Sequence, residues 1–131
     1  MKATGTFEVK LNPIDSYAKG KHGVNLGRMS IDKTFKGELE AQSQGEMLSA
    51  MTSTQGSAGY VAIEQVEGTL AGKSGSFVLQ HFGTMDKGSD HLILEVIADS
   101  GAGELAGLTG RMKINVKNGE HFYDFEYALG I

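Results

Sequence analysis

Residues Arg111–Leu129 read RMKINVKNGEHFYDFEYAL, and their reading decides the fold. Asn118-Gly119 is the pair preferred by a two-residue type I′ turn, whose twist matches that of the strands it joins. Folding the chain about that turn sets Lys117 opposite Glu120, Lys113 opposite Asp124 and Arg111 opposite Glu126, a ladder of opposite charges on one face. The other face then carries Met112, Ile114 and Val116 against His121, Tyr123, Phe125, Tyr127 and Leu129. Turn chemistry and charge pairing are independent signals, and they specify the same register. The apolar face is expected to be interior, and His121 goes in with it.

The same two-residue period extends over the rest of the chain. Ala3 to Leu11 alternates with Gly5, Phe7, Val9 and Leu11 on one face. Further strands are predicted over Leu26–Phe35, Leu39–Ser53, Tyr60–Thr69, Ser76–Thr84, His91–Ala98, Arg111–Lys117 and His121–Leu129. No long stretch has helical spacing; Glu46 to Met51 is too short to hold a helix alone. Nineteen glycines against one proline fit a β-chain with many reversals. Consecutive strands without helices form an antiparallel meander, and closure removes its exposed edges. The expected fold is all-β: a single antiparallel, largely up-and-down β-barrel of about eight strands, whose interior is filled or holds one small ligand.

The 131 residues are the size of one domain, taken as 1–131. A net charge of −4 with cations spread along the chain leaves no footprint for nucleic acid or an anionic membrane surface. There is no cysteine, hence no disulfide framework and no thiolate nucleophile or metal ligand. The alternating N-terminal stretch lacks the apolar core of a signal peptide, so a cytoplasmic location is expected.

A motif repeats between strands. Gly68-Thr69-Leu70-Ala71-Gly72-Lys73-Ser74-Gly75 and Gly103-Glu104-Leu105-Ala106-Gly107-Leu108-Thr109-Gly110 share Gly-x-Leu-Ala-Gly-x-x-Gly, and Gly37-Glu38-Leu39-Glu40-Ala41 is a fainter copy. The stretch Gly101 to Ala106 also has the form of a dinucleotide-binding fingerprint. That site needs a helix after the glycine turn, whereas Arg111 to Val116 follows as a strand. Gly68, Gly72, Gly103 and Gly107 are therefore read as barrel corners, and no cofactor is expected. Gly72-Lys73-Ser74 likewise lacks the spacing and the helix of a phosphate loop.

FKGELEAQSQGEML (35–48), GYVAIEQVEGTLAGKSGSFVLQHFGTM (59–85), SGAGELAGLTG (100–110) and HFYDFEY (121–127) together resemble the small bacterial family called domain of unknown function 3224. The resemblance covers nearly the whole chain and implies a barrel similar to that of allene oxide cyclase. It supplies no catalytic residues, and likeness of barrel does not transfer activity.

Chemistry has few carriers. A two-residue turn at Ala71-Gly72 places Ala62 opposite His81 and Glu64 opposite Leu79, so Glu64 and His81 become diagonal neighbours on one face. A carboxylate beside an imidazole in a poorly solvated barrel raises the basicity of the ring and suits proton transfer. Strand directions gather His22, His81, His91 and His121, with Tyr60 and Tyr123, at the end opposite the glycine corners, where a pocket is expected. Glu64, His81, His121, Tyr123 and Tyr60 are the candidate polar contacts for a small, partly apolar ligand, with a cofactor-independent isomerase or cyclase as the alternative and a structural or assembly role as the third. No metal-binding spacing is present. Strands five and six are apolar on both faces, so a homo-oligomer, preferentially a dimer, is expected to cover the outer one unless the loop Pro13 to Gly23 does.

Overall fold

Alternation of apolar and polar side chains is realised as nine strands: β1 (Lys2–Pro13), β2 (Asn25–Gly37), β3 (Leu39–Met51), β4 (Ala58–Leu70), β5 (Lys73–Asp86), β6 (Ser89–Val96), β7 (Ala102–Gly103), β8 (Thr109–Lys117) and β9 (Glu120–Ala128). The structure, a computed structural model, describes residues 1–130. Apart from β7, neighbours in sequence are neighbours in space, and every pairing is antiparallel. Eight strands close a ring in the order β1, β2, β3, β4, β5, β6, β8, β9, while β7 lies outside it against Gly75 and Ser76 of β5. No helix is long and apolar enough to cross a membrane among the described residues.

The turn residues set the register. Asn118 and Gly119 have φ of 52° and 76°, and the hairpin pairs Lys117 with Glu120, Lys113 with Asp124 and Arg111 with Glu126. The ion pairs themselves form one strand further out. Lys2 of β1 reaches Asp124 at 3.8 Å and Glu95 of β6 reaches Arg111 at 3.5 Å, which ties the hairpin to both its neighbours. Val116 departs from the expected interior set: it is 58% exposed, because β8 pairs with β6 at Glu95 and Arg111 and the upper part of the hairpin stands clear of that neighbour.

One end of the barrel is closed by the repeated corners. Leu39, Leu70 and Leu105, the leucines of the three copies, are each 1% exposed and pack with Phe35, Phe77, Phe125, Leu108 and Tyr127. The two Gly-Glu-Leu copies make the same clamp on a neighbouring strand. Glu38 donates its backbone N–H to Thr4 O and accepts from Thr4 N–H at Oε1; Glu104 does both with Ser74, at 2.9 Å each. The third copy rests on the first, since Ala71 N–H donates to Glu38 O at 2.8 Å. Gly103 and Gly107 take φ of 67° and 79° in this corner, and Gly107 O accepts from Gly130 N–H. Residues 104–107 form turns, not the opening of a helix.

Candidate functional site

Above the plugged end the interior turns polar. Inward positions on four strands bring together Lys33 (β2), Ser43 (β3), Glu64 (β4) and His81 (β5), all buried, Glu64 completely. Ala62 stands opposite His81 and Glu64 opposite Leu79, so the diagonal contact expected from the Ala71-Gly72 turn is made. Glu64 Oε2 accepts from Lys33 Nζ at 2.8 Å and meets His81 Nε2 at 2.5 Å, while Oε1 accepts from Ser43 Oγ at 2.5 Å. The Lys33 ammonium also lies 4.9 Å from the centroid of the Phe7 ring and 5.6 Å from that of Phe35, where ring quadrupoles stabilise a cation away from water.

Burial pushes the Glu64 carboxyl up, as it does any carboxylic acid. The His81 hydrogen bond and the Lys33 charge act the other way and prevail, holding the carboxyl at about 2. Glu64 is therefore ionised across the neutral range. The ionised Glu64 on Nε2 holds a ring proton at that nitrogen, and Nδ1 is the ring nitrogen turned away from it.

The mouth lies beyond this cluster. Leu11, Met29, Met47, Met51, Met85 and Leu92, with Tyr60 and Gly83, line an apolar cup of about 430 Å³. Gly83 makes room for the Tyr60 ring: a Cβ there would stand 2.3 Å from Cε1 of Tyr60, so the ring occupies the space that a side chain would fill. His81 is the next inward residue below Gly83, its ring 6.1 Å from that of Tyr60. Burial, with the Glu64 charge adding to it, pushes the Tyr60 phenol up, so it is a neutral hydroxyl. Methionine is an unbranched, polarisable wall that adapts to varied apolar shapes.

Glu64, His81 and Tyr60 thus come together, whereas the other expected members do not join them. Tyr123 belongs to the closed end. Its hydroxyl accepts from Leu39 N–H at 2.9 Å and lies 3.1 Å from the carbonyl oxygens of Lys36 and Leu39, fixing the β2–β3 corner. The reason is stagger: β9 pairs with only the first half of β1, placing Tyr123 opposite Gly5, and in a sheared barrel position along a strand is not height along the axis. His121 packs on Phe7, ring centroids 5.0 Å apart. His91 is exposed at the rim of the cup, and His22 is exposed in the loop that follows β1. Among the described residues no three His, Cys, Asp or Glu side chains converge as a metal set.

Lys33 is the residue that the sequence reading missed. It lies in phase with Ile31 and Phe35, one charge on an apolar face, and that phase was its signal; Ser43 likewise shares the face of Leu39 and Ala41.

The comparisons with known proteins fit this architecture. A crystal structure of a protein of unknown function from the DUF3224 family of Shewanella oneidensis MR-1 superposes with a TM-score of 0.98 at 63% identity, covering 100% of this chain and 98% of that one. The search of curated proteins gave no match. The family model described as "Protein of unknown function (DUF3224)" matches residues 3–127, from the first strand of the ring to the last, and the chain belongs to that family.

Proposed function

We propose that the protein binds one small, partly apolar molecule in the methionine-lined cup, with the polar cluster beneath it as the anchor. The observation that carries this reading is the division of the barrel interior: packed solid at the glycine corners, open at the other end, with a buried His81 at the boundary. Walls of thioether and aliphatic carbon with a few convergent polar groups are the usual composition of a ligand site. Phenylnaphthylamine, an apolar dye that fluoresces when it leaves water, tests it. Bright, saturable fluorescence with the native protein, abolished when Met47→Trp fills the cup, is expected; fluorescence that Met47→Trp leaves unchanged removes the reading. The alternative of a cofactor-independent isomerase draws on the Glu64–His81 contact, which would let the ring move a proton on a bound substrate.

A second copy of the chain is the proposed occupant of the outer wall. Cross-strand partners Leu48, Val61, Phe82 and Ile93 form one continuous row over β3 to β6, exposed by 55, 46, 49 and 39%. The loop after β1 does not cover it, being tied instead to the start of β2 through Ile14, Lys19 and Arg28. Arg28 ends the row on β2, and Glu95 lies on the same outer face of β6. A two-fold axis through the middle of the row brings the Arg28–Glu46 pair of one copy onto the Glu95–Arg111 pair of the other, charged rims flanking an apolar centre. Sedimentation velocity is expected to give a dimer for the native chain and a monomer for Phe82→Glu. A native chain that sediments as a monomer at high protein concentration removes the proposal.

A further inference from the structure

Below the lining of the cup, one inward position deeper than Gly83, His81 carries a nitrogen whose chemistry is set from behind. Both carboxylate oxygens of Glu64 are committed to Lys33, Ser43 and His81, so this carboxylate does not serve a ligand directly. Nδ1 of His81 makes no hydrogen bond to the protein, and no buried side-chain nitrogen or oxygen among the described residues lacks a partner. Nδ1 is therefore the atom of the ring that opens to the barrel interior. The ionisable groups around it are Glu64 and Tyr60 from β4 and Lys33 from β2; β6 contributes Leu94 opposite the ring, with Asp90 and His91 out at the rim. His121 from β9 is engaged with Phe7.

Resting on the binding reading above, we propose that the molecule held in the cup carries a weakly acidic hydroxyl, a phenol or an enol on an apolar body, and that Nδ1 of His81 takes its proton on binding. The ligand O–H bond breaks and an Nδ1–H bond forms. The electron pair stays on the ligand oxygen, which becomes an oxyanion beside the imidazolium. The new cation then lies between two anions, the Glu64 carboxylate and the ligand oxygen, and the proton returns on release, so no further reactant enters. The surrounding charges select this class. An amine head would add a second cation next to Lys33 and the ring; an aliphatic alcohol holds its proton too tightly for an imidazole; a carboxylic acid is already ionised at neutral pH and has no proton to give.

Para-nitrophenol reports the step directly, because its phenolate is yellow and its neutral form is not, and nitrobenzene is the same body without the hydroxyl. Binding of both to the native protein would be measured at a pH below the pKa of the free phenol. The expected result is yellow bound dye and an affinity about tenfold or more above that of nitrobenzene, with His81→Gln losing the colour and the preference while still binding nitrobenzene. Equal affinities, a colourless bound phenol, or a preference that survives His81→Gln would each overturn the proton transfer and leave apolar binding standing. Failure of both compounds to bind the native protein overturns the cup as a ligand site as well. The comparison of the two dyes on the native chain decides the matter even if the variant does not fold.

Discussion

Glu64→Gln is expected to lower folding stability by about 3 to 5 kcal/mol, the usual cost of leaving a buried charge without its partner. The glutamine keeps the shape, with its one oxygen able to serve Lys33 and His81 and its amide N–H able to donate to the Ser43 hydroxyl. What it removes is the negative charge facing the Lys33 ammonium, whose side chain is 5% exposed and has only the Phe7 and Phe35 rings as further company. Urea unfolding of the single variant and of the pair Lys33→Met with Glu64→Gln separates this cause from mere loss of packing. The pair should recover much of the loss, because an apolar side chain of similar length replaces the orphaned cation. A single variant as stable as the native chain, or a double variant no better than the single, would show that the ion pair is not what holds these four strands together.

The same group sets the acid limit. Its folded-state pKa of about 2 lies below the ordinary value of 4.5, so the unfolded chain binds the proton more readily. Such a group contributes its full stability above about pH 4.5 and loses it as the pH falls towards 2, a contribution of about 3 kcal/mol. Acid unfolding of the native chain is expected to steepen in that window, and Glu64→Gln is expected to flatten the profile there. An equally steep profile in the variant would assign the acid sensitivity to other carboxylates.

Much of this architecture is legible in the sequence because its determinants are local. Asn118-Gly119 and Ala71-Gly72 fix the register of two hairpins through the backbone angles they adopt, and the second of these is enough to place Glu64 beside His81. The leucine-glycine repeats mark the closed end for the same reason: each contains its own turn. Lys33 is half-legible. Its phase with Ile31 and Phe35 makes it inward, but its partner Glu64 lies on a strand two places around the ring, and no turn relates them. Tyr123 is not legible at all, since its height depends on the cumulative stagger of eight strands. Read by strand direction it belongs to the mouth; in the closed barrel it fixes a corner. The exposure of Val116 has the same origin, because the offset of β6 from β8 arises only when the ring closes.

The corner glycines Gly72 and Gly68 both have a positive φ, 83° and 158°, and are expected to differ in cost by what a side chain would meet. Gly72 has a φ of 83° in the β4–β5 turn, and a Cβ there would touch nothing within 4 Å. Gly72→Ala should therefore cost about 1 kcal/mol, the strain of a side chain in the left-handed region. Gly68 sits in the β3–β4 ladder opposite Ala41. A Cβ on it would lie 2.3 Å from the backbone oxygen of Glu40 and 2.6 Å from both Cα and Cβ of Ala41. Those atoms belong to a paired strand and have no flexible end to yield, so Gly68→Ala must push β3 from β4 just where Leu39 and Leu70 plug the barrel. A loss of about 3 kcal/mol, the upper range of overpacking, is expected. Urea midpoints at unchanged slope would measure both. If Gly72→Ala proves as damaging as Gly68→Ala, the closed end depends on its positive backbone angles alone; if Gly68→Ala costs clearly more, the excess is the close approach of two backbones, which Gly72 lacks.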